Sequence, residues 1–292
     1  MRILIFGAGG MLGHKLIQVL SSNNEVYGTF RTGVVKHPSL DVVSEDRFIT
    51  GIAAEDEASV RRAIGKLRPD VVVNAIGIIK QLPDSKNVIT TLTINSIFPH
   101  RLAELASEFG FRLITISTDC VFKGDRGNYS ENDVSDAVDI YGKSKNLGEV
   151  VSDNCLTVRT SIIGHELGTA HSLVDWFLSN SGGKVKGYAN AIYSGFPTVV
   201  FASIIDNLVH AHPALSGLYH VSSDAISKYD LLRLINDAYD AGITIDRDDD
   251  FRIDRSLDST RFRNETGFVP QDWKSMVDAM ASDAKTYGKW NL

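Results

Sequence analysis

Cysteine is nearly absent from this chain, with Cys120 and Cys155 the only two among 292 residues. Two thiols cannot build the disulfide framework of a small secreted fold, so a reducing, cytoplasmic setting is expected. No Lys/Arg-rich run is present, and acidic residues outnumber basic ones to a net charge of -6. A nucleic-acid partner, which leaves a basic footprint, is therefore not expected. Long apolar runs are missing too. The opening "MRILIFGAGG" reads as an immediate strand rather than a signal peptide or a membrane span. Internal repeats, low-complexity tracts and long linkers are lacking. The "HAH" at His210 and His212 has no further ligand at matching spacing, and "DRDDD" reads as a solvated turn rather than a cation site. No metal is expected.

What is present is an ordinary globular mixture, 43% hydrophobic and 23% charged, enough for one large domain or two unequal ones. In the first half, β-branched runs such as "RILIF", "EVYGTF", "DRFITGI", "DVVVNAIG", "RLITIS" and "CLTVRTS" alternate with helical patterns such as "EASVRRAIGKL". That alternation predicts an α/β fold, a Rossmann-type doubly wound parallel sheet over residues 1–160. The looser second half, 161–292, reads as a smaller substrate-binding lobe, some of whose segments return to the first domain. There "SKYD" reads as a helix N-cap.

Directly after the first strand comes "GAGGMLG", with Gly7, Gly10 and Gly13 at the strand-to-helix turn and Met11 and Leu12 between them. Pyrophosphate needs backbone N–H groups at a helix start and no side chain in its path, and glycines supply both. A dinucleotide is the expected ligand. The second strand ends in "GTFRTG", where Arg31 rather than an acid favours the ribose phosphate of NADP. NADPH is thus expected, with NADH the alternative. The fourth strand ends in Asn74, Ala75, Ile76 and Gly77, small enough at its end to let a dinucleotide lie close. Asn95 reads either as a helix-interior polar residue or as a buried anchor near the site.

The fifth strand runs into "ISTDCVF", placing Thr118, Asp119 and Cys120 on the same rim. Hydride addition to a ketone builds charge on oxygen, which needs a donor and then a proton. Thr118 can donate a hydrogen bond. Tyr141 and Lys145, in "YGKSK", share one helix face. A lysine cation beside the phenol is expected to lower its pKa. A Cys120 nucleophile would want a histidine base, and none is indicated locally.

The ordered set GAGGMLG, NAIG, STDCVF, YGKSK and VRTS resembles an extended short-chain dehydrogenase/reductase. More narrowly, it resembles the dTDP-4-dehydrorhamnose reductase branch and its nucleotide-sugar reductase relatives. The likeness continues through "RTSIIGHELGTAHSLVDWFLS" and "SGFPTVVFA". It implies an NADPH-dependent reductase of a keto deoxysugar in polysaccharide biosynthesis, with Thr118, Tyr141 and Lys145 as the catalytic triad. Tyr141 and Lys145 would also touch the cofactor. A homodimer fits the resemblance. The family's STD is normally followed by Tyr, where this chain has Cys120. Ala53 stands where relatives carry an Asp facing the adenine, leaving backbone near Ile52 to make that contact. The segment "IGIIKQLP" also departs from the usual loop, so the sugar and the nucleotide stay open.

The resemblance puts His165, Glu166, His171 and Trp176 in the substrate loop and the helix after it. Trp176 either stacks on sugar or fills the core. Arg159 reads as a core ion pair more readily than a ligand contact. Arg255 or Arg261 could clamp a diphosphate, with a solvated salt bridge equally open. The expected substrate contacts are Thr118, Asp119, Cys120, His171, Trp176 and Arg255. Two alternatives compete. An epimerase or dehydratase of the same superfamily would want an acid in place of Arg31, and a dehydratase a Glu in place of Cys120. A non-catalytic subunit like the β subunit of methionine adenosyltransferase has no need of the triad.

Overall fold

A computed structural model of the chain describes residues 1–80 and 86–287. The departure noted at "IGIIKQLP" therefore lies partly outside the described residues. The chain opens β1 (Arg2–Phe6), α1 (Gly13–Leu20), β2 (Glu25–Thr29), β3 (Phe48–Ile49), α2 (Glu57–Leu67) and β4 (Val71–Asn74). Next come α3 (Val88–Leu92), a π-helical turn (Thr93–Ile97), α4 (Phe98–Phe109), β5 (Arg112–Thr118), α5 (Ile140–Leu147) and β6 (Cys155–Thr160).

These strands form one sheet, in the order β6-β5-β4-β1-β2-β3, and every recorded pairing among them is parallel. Strand β1 shows why. Its side chains alternate faces, Ile3 and Ile5 entering one buried cluster while Leu4 and Phe6 enter another on the opposite side. A strand apolar on both sides needs helices on both sides. Each such fully buried side chain contributes roughly 1.5–3 kcal/mol.

The second half continues with β7 (Ile162–Ile163), α6 (Leu173–Leu178), β8 (Lys184–Tyr193), β9 (Phe196–Pro197) and α7 (Thr198–His210). It ends with β10 (Gly217–His220), β11 (Ile226–Ser227), α8 (Lys228–Ala238), β12 (Thr244–Asp254), α9 (Thr260–Thr266) and α10 (Trp273–Ala284). Strand β10 joins the large sheet beside β6, while α7 packs on α1 and α10 on α7. A cut at residue 160 therefore divides the order of the chain better than it divides the core. The lobe proper is the small sheet β11-β8-β12. Ser227 caps α8 as the "SKYD" reading expects, its hydroxyl accepting from the Asp230 amide.

"DRDDD" differs from its expectation, because it lies within β12 rather than in a turn. Pairing with β8 brings Lys184 to 2.7 Å from Asp246 and Lys186 to 3.0 Å from Asp248. These ion pairs lower the repulsion that the acidic run would suffer alone. The register shifts between Asp248 and Arg252.

Candidate active site

The glycine turn is built by close approach. Gly7 has φ +85°, and a Cβ there would meet the Ala75 backbone at 3.1 Å. A Cβ on Gly13 would fall 1.9 Å from the Gly7 carbonyl oxygen, so Gly13 serves the packing of α1 against the turn. Gly10 donates its amide to the Gly7 carbonyl at 3.0 Å.

Two cavities open at the carboxyl ends of the strands. The larger, ≈ 560 Å³, is lined by Gly10, Met11, Leu12, Asn74, Ala75, Thr118, Asp119, Cys120, Tyr141, Lys145, His171 and Arg255. The smaller, ≈ 230 Å³, is lined by Gly7, Arg31 and Ile52, together with Ala53 and Glu55. Ile76 and Gly77 line both, so the two adjoin across the end of the sheet. A dinucleotide fits this arrangement: glycines where its pyrophosphate would lie, a narrow pocket at one end and a wide one at the other. Arg31 is exposed and makes no ion pair among the described residues.

Asn95 settles as an anchor. It sits in the π-helical turn, a distortion frequent at functional sites. Its side-chain oxygen accepts from the Ile78 amide at 2.8 Å, and its amide donates to the Ile78 carbonyl at 3.0 Å and to Ser144 Oγ at 3.1 Å. It thereby ties the loop after β4 to α5. Helix α5 begins at Asp139, whose carboxylate accepts the Gly142 amide at 2.9 Å. That cap sets Tyr141 in the first turn with Lys145 one turn on. Thr118 caps the short 3₁₀ turn Asp119–Val121, its hydroxyl donating to Asp119 at 3.1 Å and accepting from the Cys120 amide at 3.1 Å.

Burial governs the electrostatics. It pushes the Tyr141 phenol above its ordinary value, Cys120, Asp119 and Asp139 adding to the rise and a Thr118 hydrogen bond opposing it. It lowers Lys145 to about 8, with Glu149 opposing. Lys145 Nζ donates to the Ile116 carbonyl at 2.6 Å. The net shift of the phenol is upward, not downward as expected, with burial its largest cause. A second cation, Lys80, holds its Nζ 5.6 Å from the Tyr141 ring centroid and 2.8 Å from Asp139. Asp119 is raised by burial, and the Cys120 thiol is pushed up to about 12 by the same cause. A thiol so protonated is a poor nucleophile.

Other expectations divide. Trp176 is 43% exposed and lines neither cavity. Val174, Phe177 and Leu178 form the buried side of α6, which turns the indole outward, away from both sugar and core. His165 is buried against Asp175 (2.6 Å) and Tyr239 (2.8 Å) outside the cavity. Arg159 pairs with Glu149 at 2.7 Å in the core, as the structural reading has it. Arg261 pairs with Glu265 at the surface. Arg255 lines the cavity while its Nε donates to the Phe122 carbonyl at 2.7 Å. Gly9, Lys80, Glu166, Tyr193 and Lys228 also line the large cavity. Sequence reasoning passed over all but Glu166; Gly9 and Lys80 lie in segments it did quote, whereas Tyr193 and Lys228 come from the second half and reach the cavity only through the fold.

The chain matches the model of the RmlD substrate binding domain over residues 1–286. It belongs to that family. It is similar to dTDP-4-dehydrorhamnose reductase of Aggregatibacter actinomycetemcomitans, 25% identical over 94% of this chain and 96% of that protein. It is also similar to methionine adenosyltransferase 2 subunit beta of Bos taurus, 27% identical over 82% of this chain and 72% of that one. Among solved structures, a hypothetical dTDP-4-dehydrorhamnose reductase from Sulfolobus tokodaii superposes with a TM-score of 0.78. It is 27% identical, covering 94% of this chain and 99% of that one. Membership of the RmlD family accounts for the ordered motifs along the whole chain. No described helix is long and apolar enough to cross a membrane.

Proposed function

We propose that this RmlD-family chain is a reductase of the extended short-chain dehydrogenase/reductase type, acting on the keto group of a nucleotide-linked deoxysugar with NADPH. The observation that carries the reading is the meeting of Thr118, Tyr141 and Lys145 in one cavity that adjoins the glycine turn. NADPH, when bound, supplies the hydride. Gly7, Gly10, Met11, Leu12 and the Asn74–Gly77 strand end would hold its pyrophosphate and the nicotinamide half. Arg31 and the backbone near Ile52 would hold the adenosine half. Glu55 on the same wall offers a carboxylate for ribose hydroxyls, which supports NADH as the alternative.

In this mechanism the Thr118 hydroxyl exchanges its bond to Asp119 for one to the substrate carbonyl oxygen, donating to it and orienting it. As that oxygen becomes an alkoxide, Tyr141 gives up its phenolic proton to it, and the alcohol forms. A buried phenol with a raised pKa is protonated at neutral pH, as an acid in the reducing direction must be. Lys145 would hold the cofactor ribose and stabilise the phenolate left behind. Asp119, Cys120, His171 and Arg255 line the substrate side of the same cavity, Arg255 and Lys228 offering cations to a diphosphate.

A second reading, a non-catalytic subunit, draws on the β-subunit relative. Against it stands the burial of Lys145 beside a half-buried Tyr141 at the cavity wall, a costly arrangement that packing alone does not need. An epimerase or dehydratase finds less support still, with Arg31 and Cys120 where acids would serve it. A cytoplasmic homodimer belongs to the same proposal. Oxidation of NADPH, followed at its absorbance band against dTDP-, UDP- and GDP-linked 4-keto sugars, tests the reading. Turnover with at least one sugar is expected, faster with NADPH than with NADH. No oxidation with any of them would remove the reductase.

A further inference from the structure

The glycine turn is gripped by a side chain that lines neither cavity. His14, in the first turn of α1, is fully buried, and its Nδ1 lies 2.7 Å from the Gly10 carbonyl oxygen. A carbonyl oxygen can only accept, so Nδ1 carries the ring proton. Nε2 is then the acceptor and takes its bond from the Tyr287 hydroxyl. Burial lowers the imidazole to about 3, which keeps the ring neutral and this tautomer in place. The Gly10 carbonyl also accepts from the His14 amide at 3.2 Å. Backbone and side chain of one residue thus hold the same oxygen.

What this grip fixes is the next amide. No peptide bond among the described residues is cis, and in a trans peptide the C=O and the N–H point to opposite sides. A Gly10 carbonyl turned toward α1 therefore turns the Met11 N–H away from it, to the side where the glycines leave room for a pyrophosphate. Met11 and Leu12 both line the large cavity. Among the described residues no acceptor takes either amide, and Leu12, at the N-cap of α1, makes no side-chain capping bond. The first donors of a helix are ordinarily met by a cap, by water or by a ligand. Here the protein leaves them open while fixing their direction.

We propose that His14 is a positioning residue for the cofactor: by holding the Gly10 carbonyl it aims the Met11 amide at the pyrophosphate of the dinucleotide. The inference rests on the dinucleotide reading and deepens it. His14 touches no reacting group, so its contribution is read in cofactor affinity.

Asn and Gln separate the two ends of the imidazole. The Asn side-chain nitrogen reaches the place of Nδ1 and still donates to Gly10, whereas the longer Gln reaches the place of Nε2 and keeps a partner for Tyr287 but not for Gly10. Each variant gives up one buried bond, so both should melt below wild type. Titration of the whole chain with NADPH, followed by its fluorescence, should show His14→Gln weakened by about tenfold or more, the worth of one hydrogen bond to a charged group, and His14→Asn within about threefold of wild type. Equal affinities of the two variants, or the reverse order, overturn the proposal, because the His14 backbone amide then holds the turn by itself. Should His14→Gln not fold, wild type decides: hydrogen exchange at the Met11 amide, followed by NMR, should slow when NADPH is added, and an unchanged rate overturns the aim. Wild type that binds neither NADPH nor NADH fails the dinucleotide reading and takes the proposal with it. Wild type that binds, with both variants alike, fails the positioning role alone.

Discussion

Two clusters of buried polar side chains flank the glycine turn, and they differ in where their hydrogen bonds go. On the α1 side, His14 Nδ1 donates to the Gly10 carbonyl at 2.7 Å and Nε2 accepts from Tyr287. Lys15 lies over the Tyr287 ring at 4.6 Å and pairs with Asp283 at 2.6 Å. His165, whose ring is 4.9 Å from that of Tyr287, bonds Asp175 and Tyr239. Groups here satisfy one another inside the protein. Around the large cavity, Thr118, Tyr141 and Lys145 line a wall that a ligand would cover, Thr118 and Lys145 each also making internal hydrogen bonds. A closed network stabilises the fold. A cavity-lining one keeps binding capacity, because its polar groups can also meet what enters.

The same chemical change made in both clusters gives the sharpest contrast. Tyr141→Phe should lower kcat by about 10²–10⁴-fold, the usual worth of a general acid, with cofactor affinity and melting temperature preserved. Tyr287→Phe should leave kcat near wild type and lower stability by about 1–3 kcal/mol, since His14 Nε2 loses its buried donor. Turnover kinetics and thermal unfolding on both variants read the two effects. Equal turnover by Tyr141→Phe would take that residue out of the mechanism.

Acid should attack the closed cluster. Burial lowers His14 to about 3, and burial followed by the nearby Arg159 lowers His220 to about 4. Both are neutral bases in the folded chain, whereas the unfolded chain takes up their protons below about pH 6.5. Stability is therefore lost as pH falls from about 6.5 toward 4, at about 1.4 kcal/mol per pH unit for each histidine. Urea unfolding from pH 7 to 4.5 should show this slope, and His14→Gln should make it shallower. An unchanged slope would mean that His14 already takes up its proton in the folded state.

The smallest effect concerns Lys145. Its folded value near 8 lies below the unfolded one of about 10.4, so burying the ammonium costs stability in full below about pH 8. That cost fades as pH climbs toward 10.4. Lys145→Met should raise stability at pH 7 by about 1–2 kcal/mol, after the loss of its bond to Ile116, while activity disappears. The gain should vanish near pH 10.5. A lower melting temperature at pH 7 would instead put Lys145 among the structural groups.

Much of the site was legible because it is local. The glycine turn, the Asp139 cap that opens α5, and the run Thr118–Asp119–Cys120 are each set by a few consecutive residues and by helix or strand geometry. Trp176 was misread for a related reason. Its place in a loop resembling a substrate segment says nothing of which side of α6 it takes, and Val174, Phe177 and Leu178 decided that by claiming the core. "DRDDD" lies in a strand because β12 pairs with β8, a neighbour distant in the chain.

The alternation of β-branched runs and amphipathic helices determined the doubly wound sheet, since each strand must bury both faces. The order of the turn, Thr118, Tyr141 and Lys145 along the strands and helices determined that they share one rim. Tertiary structure alone decided that burial is the largest influence on the Tyr141 phenol and that Asn95 ties the β4 loop to α5. Burial and hydrogen-bond partnership depend on residues distant in the chain, and these exist as neighbours only once the lobe has closed onto the sheet.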